Sequence, residues 1–195
     1  MGWEIIAGLG LLGFLLVGAL VLFVLVAIYY YNSIVVLSNQ IDNAWAQIDI
    51  QLKRRVDLIP DLIAAAKRVM KHEKELFTGL AAAREGLAKA GTIADKAKAN
   101  VKIDNLMAMF QARAEAYPEM KSNENMRMAM EEMSGTESKI AYARQFYNDS
   151  VLTFNNTIQM FPGSVFASLF GKGTAKQYFQ VEESDRKKPN YKLDE

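Results

Sequence analysis

The side chains best suited to chemistry are charged residues that fall on otherwise apolar helical stripes. Glu137 and Arg144 lie seven positions apart on one stripe, and Glu73 lies on another beside His72. Buried carboxylates and guanidinium groups can bind a ligand, respond to protons, or form a polar layer that fixes helix register. We favour the register layer, with Glu137 and Arg144 mostly buried and paired across helices. The predicted polar core network comprises Arg54, Arg55, Asp57, Glu73, Glu137 and Arg144.

Catalytic machinery beyond these charges is missing from the sequence. His72 is the only histidine and there is no cysteine, which excludes multi-histidine metal sites and thiolate nucleophiles. Phosphate-binding glycine loops and nucleophile motifs are also missing. The net charge of +1 gives no electrostatic case for a nucleic-acid partner. We therefore expect no enzyme, no cofactor and no metal, and we interpret the glycosylation-like strings at Asn148 and Asn155 as coincidental.

The chain begins with a membrane-length run. Residues 5–41 carry no charge, and the first 24 of them are only Ile, Leu, Val, Ala, Phe and Gly. A bilayer crossing needs about 20 apolar residues. Trp3 and the tyrosines at 29–31 flank the run, as is typical of interfacial aromatic rings. The run is too long for a signal peptide, and the segment before it carries no positive charge, so we predict an uncleaved anchor.

Beyond the anchor the sequence predicts four amphipathic helices. A stripe with apolar residues every three or four positions starts at Ile34, and Pro60 is expected to end or sharply kink this first helix. Gly91, Pro118 and Pro162 close the next three. The predicted fold is all-α, an N-terminal transmembrane helix that continues into an antiparallel four-helix bundle. The alternative is three long helices with a kink at Pro60.

Three details follow from the stripes. Trp45 lies on the first stripe and is expected to pack inside the bundle. Ser122 and Asn123 are both good N-cap residues for the last long helix. Seven of the ten methionines lie between positions 107 and 133, and we interpret them as gap-filling core rather than an adaptable docking surface.

An even number of helices returns the chain to the membrane that it left. The segment found there, residues 161–170, is apolar and too short to span. It either lies on the bilayer surface or caps the open end of the bundle. The chain after Gly171 is polar and is expected to be a loose tail. The candidate contacts with lipid or a neighbouring chain are Phe161, Val165, Phe166, Leu169 and Phe170.

Several short strings are specific in combination. They are YNS at 31–33, DNAWAQID at 42–49, QLKRRVDLIPDL at 51–62, HEKE at 72–75, GTE at 135–137, AR at 143–144, YN at 147–148 and FPG at 161–163. With them the sequence resembles the LemA family of bacterial membrane proteins from about residue 30 to residue 180. The resemblance implies a four-helix bundle on an N-terminal anchor and no catalytic function. A relative belongs to the magnetosome membrane system, which suggests membrane organisation.

The expected organisation is an anchor with its aromatic collar at 1–31, a bundle at 32–161, an apolar membrane-proximal segment at 162–180 and a polar tail at 181–195. The predicted function is a non-enzymatic protein of the bacterial inner membrane that self-associates and organises membrane or protein partners. The alternative is an adaptor or sensor that binds one other membrane protein. Positive charge at 53–55 favours a cytoplasmic bundle. Digestion of the bundle by protease added to spheroplasts would contradict that orientation.

Overall fold

The computed structural model describes residues 2–180, except for the side chains of residues 4, 5, 121 and 122. Regular secondary structure in this part of the chain is entirely helical, which confirms the predicted all-α fold. The predicted polar tail at 181–195 lies outside the described residues. The helices are α1 (Gly2–Ala66), α2 (Lys74–Lys89), α3 (Ile93–Ala114), α4 (Pro118–Ser122), α5 (Glu124–Gln159) and α6 (Gly163–Leu169).

The first helix does not end at Pro60. α1 continues through this proline to Ala66, so the prediction of a helix end there is wrong. In an α-helix the amide of residue 60 would donate to the carbonyl of Val56, but proline has no amide hydrogen. Arg84 on α2 replaces that donor, because its Nε donates to Val56 O at 3.0 Å. The alternative of three long helices is also wrong, since α2 is a separate helix.

This replacement donor gives a testable coupling. Arg84→Met is expected to lower the free energy of unfolding by about 1–2 kcal/mol, because it leaves the partly buried carbonyl of Val56 without this donor. Pro60→Ala returns the helical amide to Val56, so Arg84→Met should cost at least ~1 kcal/mol less in that background. Urea unfolding of the full-length chain and its three variants completes the cycle. Equal losses in both backgrounds would show that Arg84 does not serve this carbonyl.

The other helix boundaries follow local signals. Thr92 caps α3 by accepting a hydrogen bond from the amide of Asp95 at 3.0 Å. Asn123 caps α5, where its Oδ1 accepts from the amide of Met126 at 3.2 Å. A short side-chain acceptor in this position satisfies an amide that has no helical partner. The predicted start of the last long helix at Asn123 is therefore confirmed.

The chain forms two compact units, and α1 and α5 contribute residues to both. Within the described residues, the anchor unit comprises 2–42 and 149–177, and the bundle unit comprises 43–148 and 178–180. In the anchor unit, α1 has a stretch long and apolar enough to cross a membrane, with its large apolar side chains exposed. This stretch is compatible with a single-pass anchor.

The bundle unit is an up-down-up-down four-helix bundle. α1 runs parallel to α3. α5 runs antiparallel to α1, and α2 runs antiparallel to α3. The contacts that fix these directions are Trp45–Tyr147 and Arg54–Glu132 between α1 and α5, Asp49–Lys96 and Arg55–Asp104 between α1 and α3, and Glu73–Arg113 and Gly79–Leu106 between α2 and α3. The central core comprises Ile48, Leu52, Ile59, Leu62, Leu80, Ile103, Phe110 and Ile140. Each such side chain stabilises the fold by about 1.5–3 kcal/mol through burial.

Candidate functional site

Of the predicted polar network, only Arg55 lies in the core. Its side chain is 1% exposed, and its Nη1 donates to Asn100 Oδ1 at 2.7 Å and to Asp104 Oδ1 at 2.5 Å. Asn100 Nδ2 in turn donates to Asp104 Oδ2 at 3.1 Å. These three residues, which we call the Arg55 cluster, join α1 to α3 through charge-assisted hydrogen bonds. The prediction did not name Asn100 or Asp104.

A signal for these partners was present in the sequence. Asn100 stands on the apolar stripe of α3, between the buried residues Ala97 and Ile103. Asp104 follows four positions later on the same helix face. A polar residue at a core position needs a partner, so Asn100 could have been paired with the basic residues of α1.

The Arg55 cluster has donors to spare. Two Arg55 donors, Nε and Nη2, are buried without a hydrogen-bond partner in the described part of the chain, and so is one acceptor nearby in sequence, Gln51 Oε1. Asp104 already neutralises the guanidinium, so an added anion would leave an uncompensated negative charge. A neutral acceptor such as water suits the remaining donors better. The cluster therefore has the chemistry of a buried structural layer rather than that of a catalytic acid and base.

The remaining predicted residues do not join this cluster. Arg54 is exposed and lies 3.9 Å from Glu132, and Asp57 is exposed as well. Glu73 pairs with Arg113 at 2.9 Å, next to the turn that connects α1 to α2. The Arg54–Glu132 pair is exposed on both sides, and such pairs contribute about 0–1 kcal/mol. The predicted network is thus several separate contacts around one buried arginine.

Glu137 and Arg144 were both predicted to be mostly buried. Both predictions are wrong, and one reason explains both. Glu137 is exposed, and Arg144 is only partly buried. The stripe that α5 buries alternates steps of three and four with the opposite phase, so each predicted charge falls one position past the buried one. The residues that occupy the stripe are Met133, Thr136, Ile140, Ala143 and Tyr147.

In the anchor unit, α6 packs against the end of the apolar run of α1. The ring of Phe166 lies 5.4 Å from Phe23 and stacks on Tyr30, also at 5.4 Å. Phe170 meets Tyr31 edge-on at 5.2 Å. Aromatic pairs at these distances contribute about 0.5–1.5 kcal/mol beyond their buried area. The aromatic collar of the sequence is therefore also the docking surface for α6.

The apolar segment at 161–170 consequently divides into two faces. Phe166 was expected to be available to lipid or a neighbouring chain, and this is wrong, because its ring is buried against α1. Phe170 is partly covered in the same way. The opposite face is open, with Phe161 at 85%, Val165 at 52% and Leu169 at 64% exposure. Gly163 permits the close packing, since a Cβ there would lie 2.0 Å from Thr157 O.

The segment after α6 is held in place, contrary to the expected loose tail. In the anchor unit, Asn155 Nδ2 donates to Lys176 O at 3.0 Å while Lys176 N donates to Asn155 Oδ1 at 2.8 Å. In the bundle unit, Asn148 makes the same two-way pair with Phe179, at 3.4 and 2.9 Å. Each side-chain amide thus mimics a peptide group. The asparagines of the two glycosylation-like strings, Asn148 and Asn155, thus act as clamps for this segment.

Phe179 is the side-chain anchor of the segment. It is 1% exposed, and its ring lies 6.1 Å from Trp45 and 5.2 Å from the guanidinium of Arg144. Trp45 also meets Tyr147 edge-on at 5.9 Å and carries Lys96 over its ring at 5.5 Å. The prediction that Trp45 packs inside is confirmed in part, because the indole is partly exposed but packed on three sides.

Among the described residues, no group of three or more His, Asp and Glu side chains is positioned to hold a metal ion. A family model described as "LemA family" matches residues 44–192. No curated protein matches the chain.

Proposed function

This chain belongs to the LemA family, and from that premise we propose that it is a non-enzymatic, single-pass protein of the bacterial inner membrane. Its helical bundle lies on the cytoplasmic side, where positive charge near the anchor favours retention. The protein self-associates and organises membrane or protein partners. Its partners are the lipid bilayer and further copies of itself.

The observation that carries this proposal is the orientation of α6. Phe166 fixes α6 to Phe23, a residue of the apolar run, while Phe161, Val165 and Leu169 face away from the chain. Large apolar side chains exposed together are typical of a lipid or protein contact. Because the buried face of α6 is attached to a membrane-length helix, the open face is best suited to the acyl boundary of the same bilayer.

Attachment to a bilayer favours self-association. Copies held in two dimensions have a raised effective concentration, so weak lateral contacts suffice for assembly. The anchor itself carries no pair of small residues at the spacing that permits close helix packing. The contacts between copies therefore lie outside the apolar run, in the bundle or on the open face of α6.

Spin labels test the position of α6. The chain has no cysteine, so Val165→Cys and Tyr142→Cys each accept a single label in the full-length protein reconstituted into vesicles. Tyr142 is 75% exposed on α5 and serves as the matched control. We expect the label at 165 to be relaxed more by oxygen than by a water-soluble nickel complex, and the label at 142 to show the reverse. Identical behaviour at the two positions would contradict membrane contact by α6.

Particle size tests self-association. The detergent-solubilised full-length chain should elute and scatter light as several copies, and the Phe161→Ser/Leu169→Ser variant should contain fewer copies if α6 forms the contact. A wild-type particle with one copy contradicts self-association. It would favour the second candidate function, an adaptor for one other membrane protein.

A groove in the bundle unit supports that second candidate. It has a volume of about 450 Å³ and lies where α4 and the start of α5 adjoin the end of α3. Its lining includes the apolar side chains of Met120, Met126 and Met130 and the charged side chains of Arg127 and Glu131. Flexible methionines adapt to varied apolar partners. Capture of a one-to-one complex that is lost in Met130→Glu would support the adaptor.

A further inference from the structure

We infer that Lys172, the first charged residue after α6, binds the phosphate group of an anionic phospholipid in the leaflet that α6 contacts. This inference rests on the membrane contact of α6 proposed above. It adds the class of lipid that the protein selects, which the apolar face of α6 alone does not determine.

The anchor unit carries very few charges. Residues 5–41 and residues 150–171 contain no Asp, Glu, Lys, Arg or His. The acids of this unit whose side chains are described, Asp42 and Asp149, stand where the chain passes to and from the bundle unit. Lys172 is thus a cation placed directly after a long uncharged stretch of the chain.

The end of α6 fixes the backbone of Lys172. Gly171 has φ at 66°, in the left-handed region that favours glycine. Its amide donates to Ser168 O at 3.1 Å, and the amide of Lys172 donates to Ala167 O at 2.8 Å. These two hydrogen bonds form the Schellman motif, which closes the C-terminus of a helix. Lys172 is therefore held against the last turn of α6.

The side chain of Lys172 reaches the aromatic collar. Its Nζ lies 5.1 Å from the centre of the Tyr31 ring, and Phe170 meets the same ring edge-on. Tyrosines next to an apolar run settle at the membrane–water boundary. Among the described residues, no carboxylate forms an ion pair with Lys172. The ammonium group therefore stands at the depth of the lipid headgroups with three donors available.

A phosphate group matches this arrangement. The lysine ammonium is a compact point charge that binds phosphate through charge-assisted hydrogen bonds. A helix at the membrane surface binds through its buried apolar area and through attraction to anionic lipids. In α6 the open face supplies the apolar area, and Lys172 supplies the charge. A lysine that only complemented the helix C-terminus would affect stability without selecting a lipid.

Lipid selectivity of the full-length protein tests the assignment. The protein is reconstituted into phosphatidylcholine vesicles with a trace of spin-labelled phosphatidylglycerol or spin-labelled phosphatidylcholine. The motionally restricted fraction of each label gives the ratio of their association constants at the protein. We expect phosphatidylglycerol to be held about fivefold more strongly, which corresponds to about 1 kcal/mol for one lysine near the surface. Lys172→Gln should lower this ratio to about one, and Lys172→Arg should keep it.

Lys139→Gln removes an exposed lysine of the bundle unit and is the matched control, which should keep the wild-type ratio. An equal ratio in the wild type and Lys172→Gln would overturn the assignment, and so would loss of the ratio in Lys172→Arg. A wild-type ratio of about one, with the spin label at 165 in the bilayer, would overturn lipid selection while membrane contact by α6 stands. A label at 165 that is exposed to water would overturn both.

Inorganic phosphate separates a lipid headgroup from the free anion. Replacing chloride by inorganic phosphate at equal ionic strength should leave the ratio unchanged, because the lipid is confined to the bilayer beside Lys172. A ratio that falls in inorganic phosphate would assign Lys172 to the free anion and overturn the lipid as its ligand.

Discussion

Asp104→Leu is expected to lower the free energy of unfolding by about 3–5 kcal/mol, because it leaves the guanidinium of Arg55 charged in the core without its counter-ion. Arg55 already has two buried nitrogens without a partner, and Asn100 is then the only acceptor of the Arg55 cluster. Urea unfolding of the full-length chain in detergent, followed by circular dichroism, measures the loss.

Two further variants test whether this loss of stability comes from the unpaired charge of Arg55. Asp57→Leu makes the same change at an exposed carboxylate of α1 and should stay within about 0.5 kcal/mol of the parent. The triple variant Arg55→Met/Asn100→Leu/Asp104→Leu removes the whole cluster and should recover most of the stability, since well-packed apolar replacements of buried ion pairs are often tolerated. A triple variant that folds but no longer assembles would make the Arg55 cluster a functional site.

Trp45→Ala is expected to cost about 3–5 kcal/mol, as for other aromatic truncations in packed settings. The indole contacts Tyr147, Phe179 and Lys96, so its removal opens a cavity and releases the anchor of the terminal segment. Tyr142→Ala, at an exposed aromatic residue, is the matched control. The same unfolding measurement applies. A loss below about 1 kcal/mol would place Trp45 among contact residues rather than packing residues.

The sequence predicts the helices well because their stripes are long. The order of the long helices and their antiparallel arrangement follow from periodicity and from capping residues such as Asn123. The predicted helix end at Pro60 was wrong. The hydrogen bond that compensates for this proline comes from Arg84, which is 24 positions further along the chain. A local rule cannot include a donor that tertiary structure supplies.

The candidate site is less predictable for two physical reasons. Steps of three and four can be ordered in two ways along one helix. The prediction used the wrong order on α5, and it therefore placed Glu137 in the core instead of Thr136. The Asn148 and Asn155 clamps act on backbone groups of an irregular segment, which has no periodic signal of its own. Their spacing of seven along α5 places them on one helix face, and it is the one clue that the sequence offered.

The pairing of Pro60 with Arg84 also constrains how this sequence can diverge. Loss of the proline first is harmless, since a helical amide returns and the arginine merely becomes redundant. Loss of the arginine first leaves the Val56 carbonyl unsatisfied. We therefore expect the proline to be lost before the arginine during evolution. Among related sequences that keep proline at position 60, we expect a long side chain with a hydrogen-bond donor at position 84, while lineages without the proline should vary freely there.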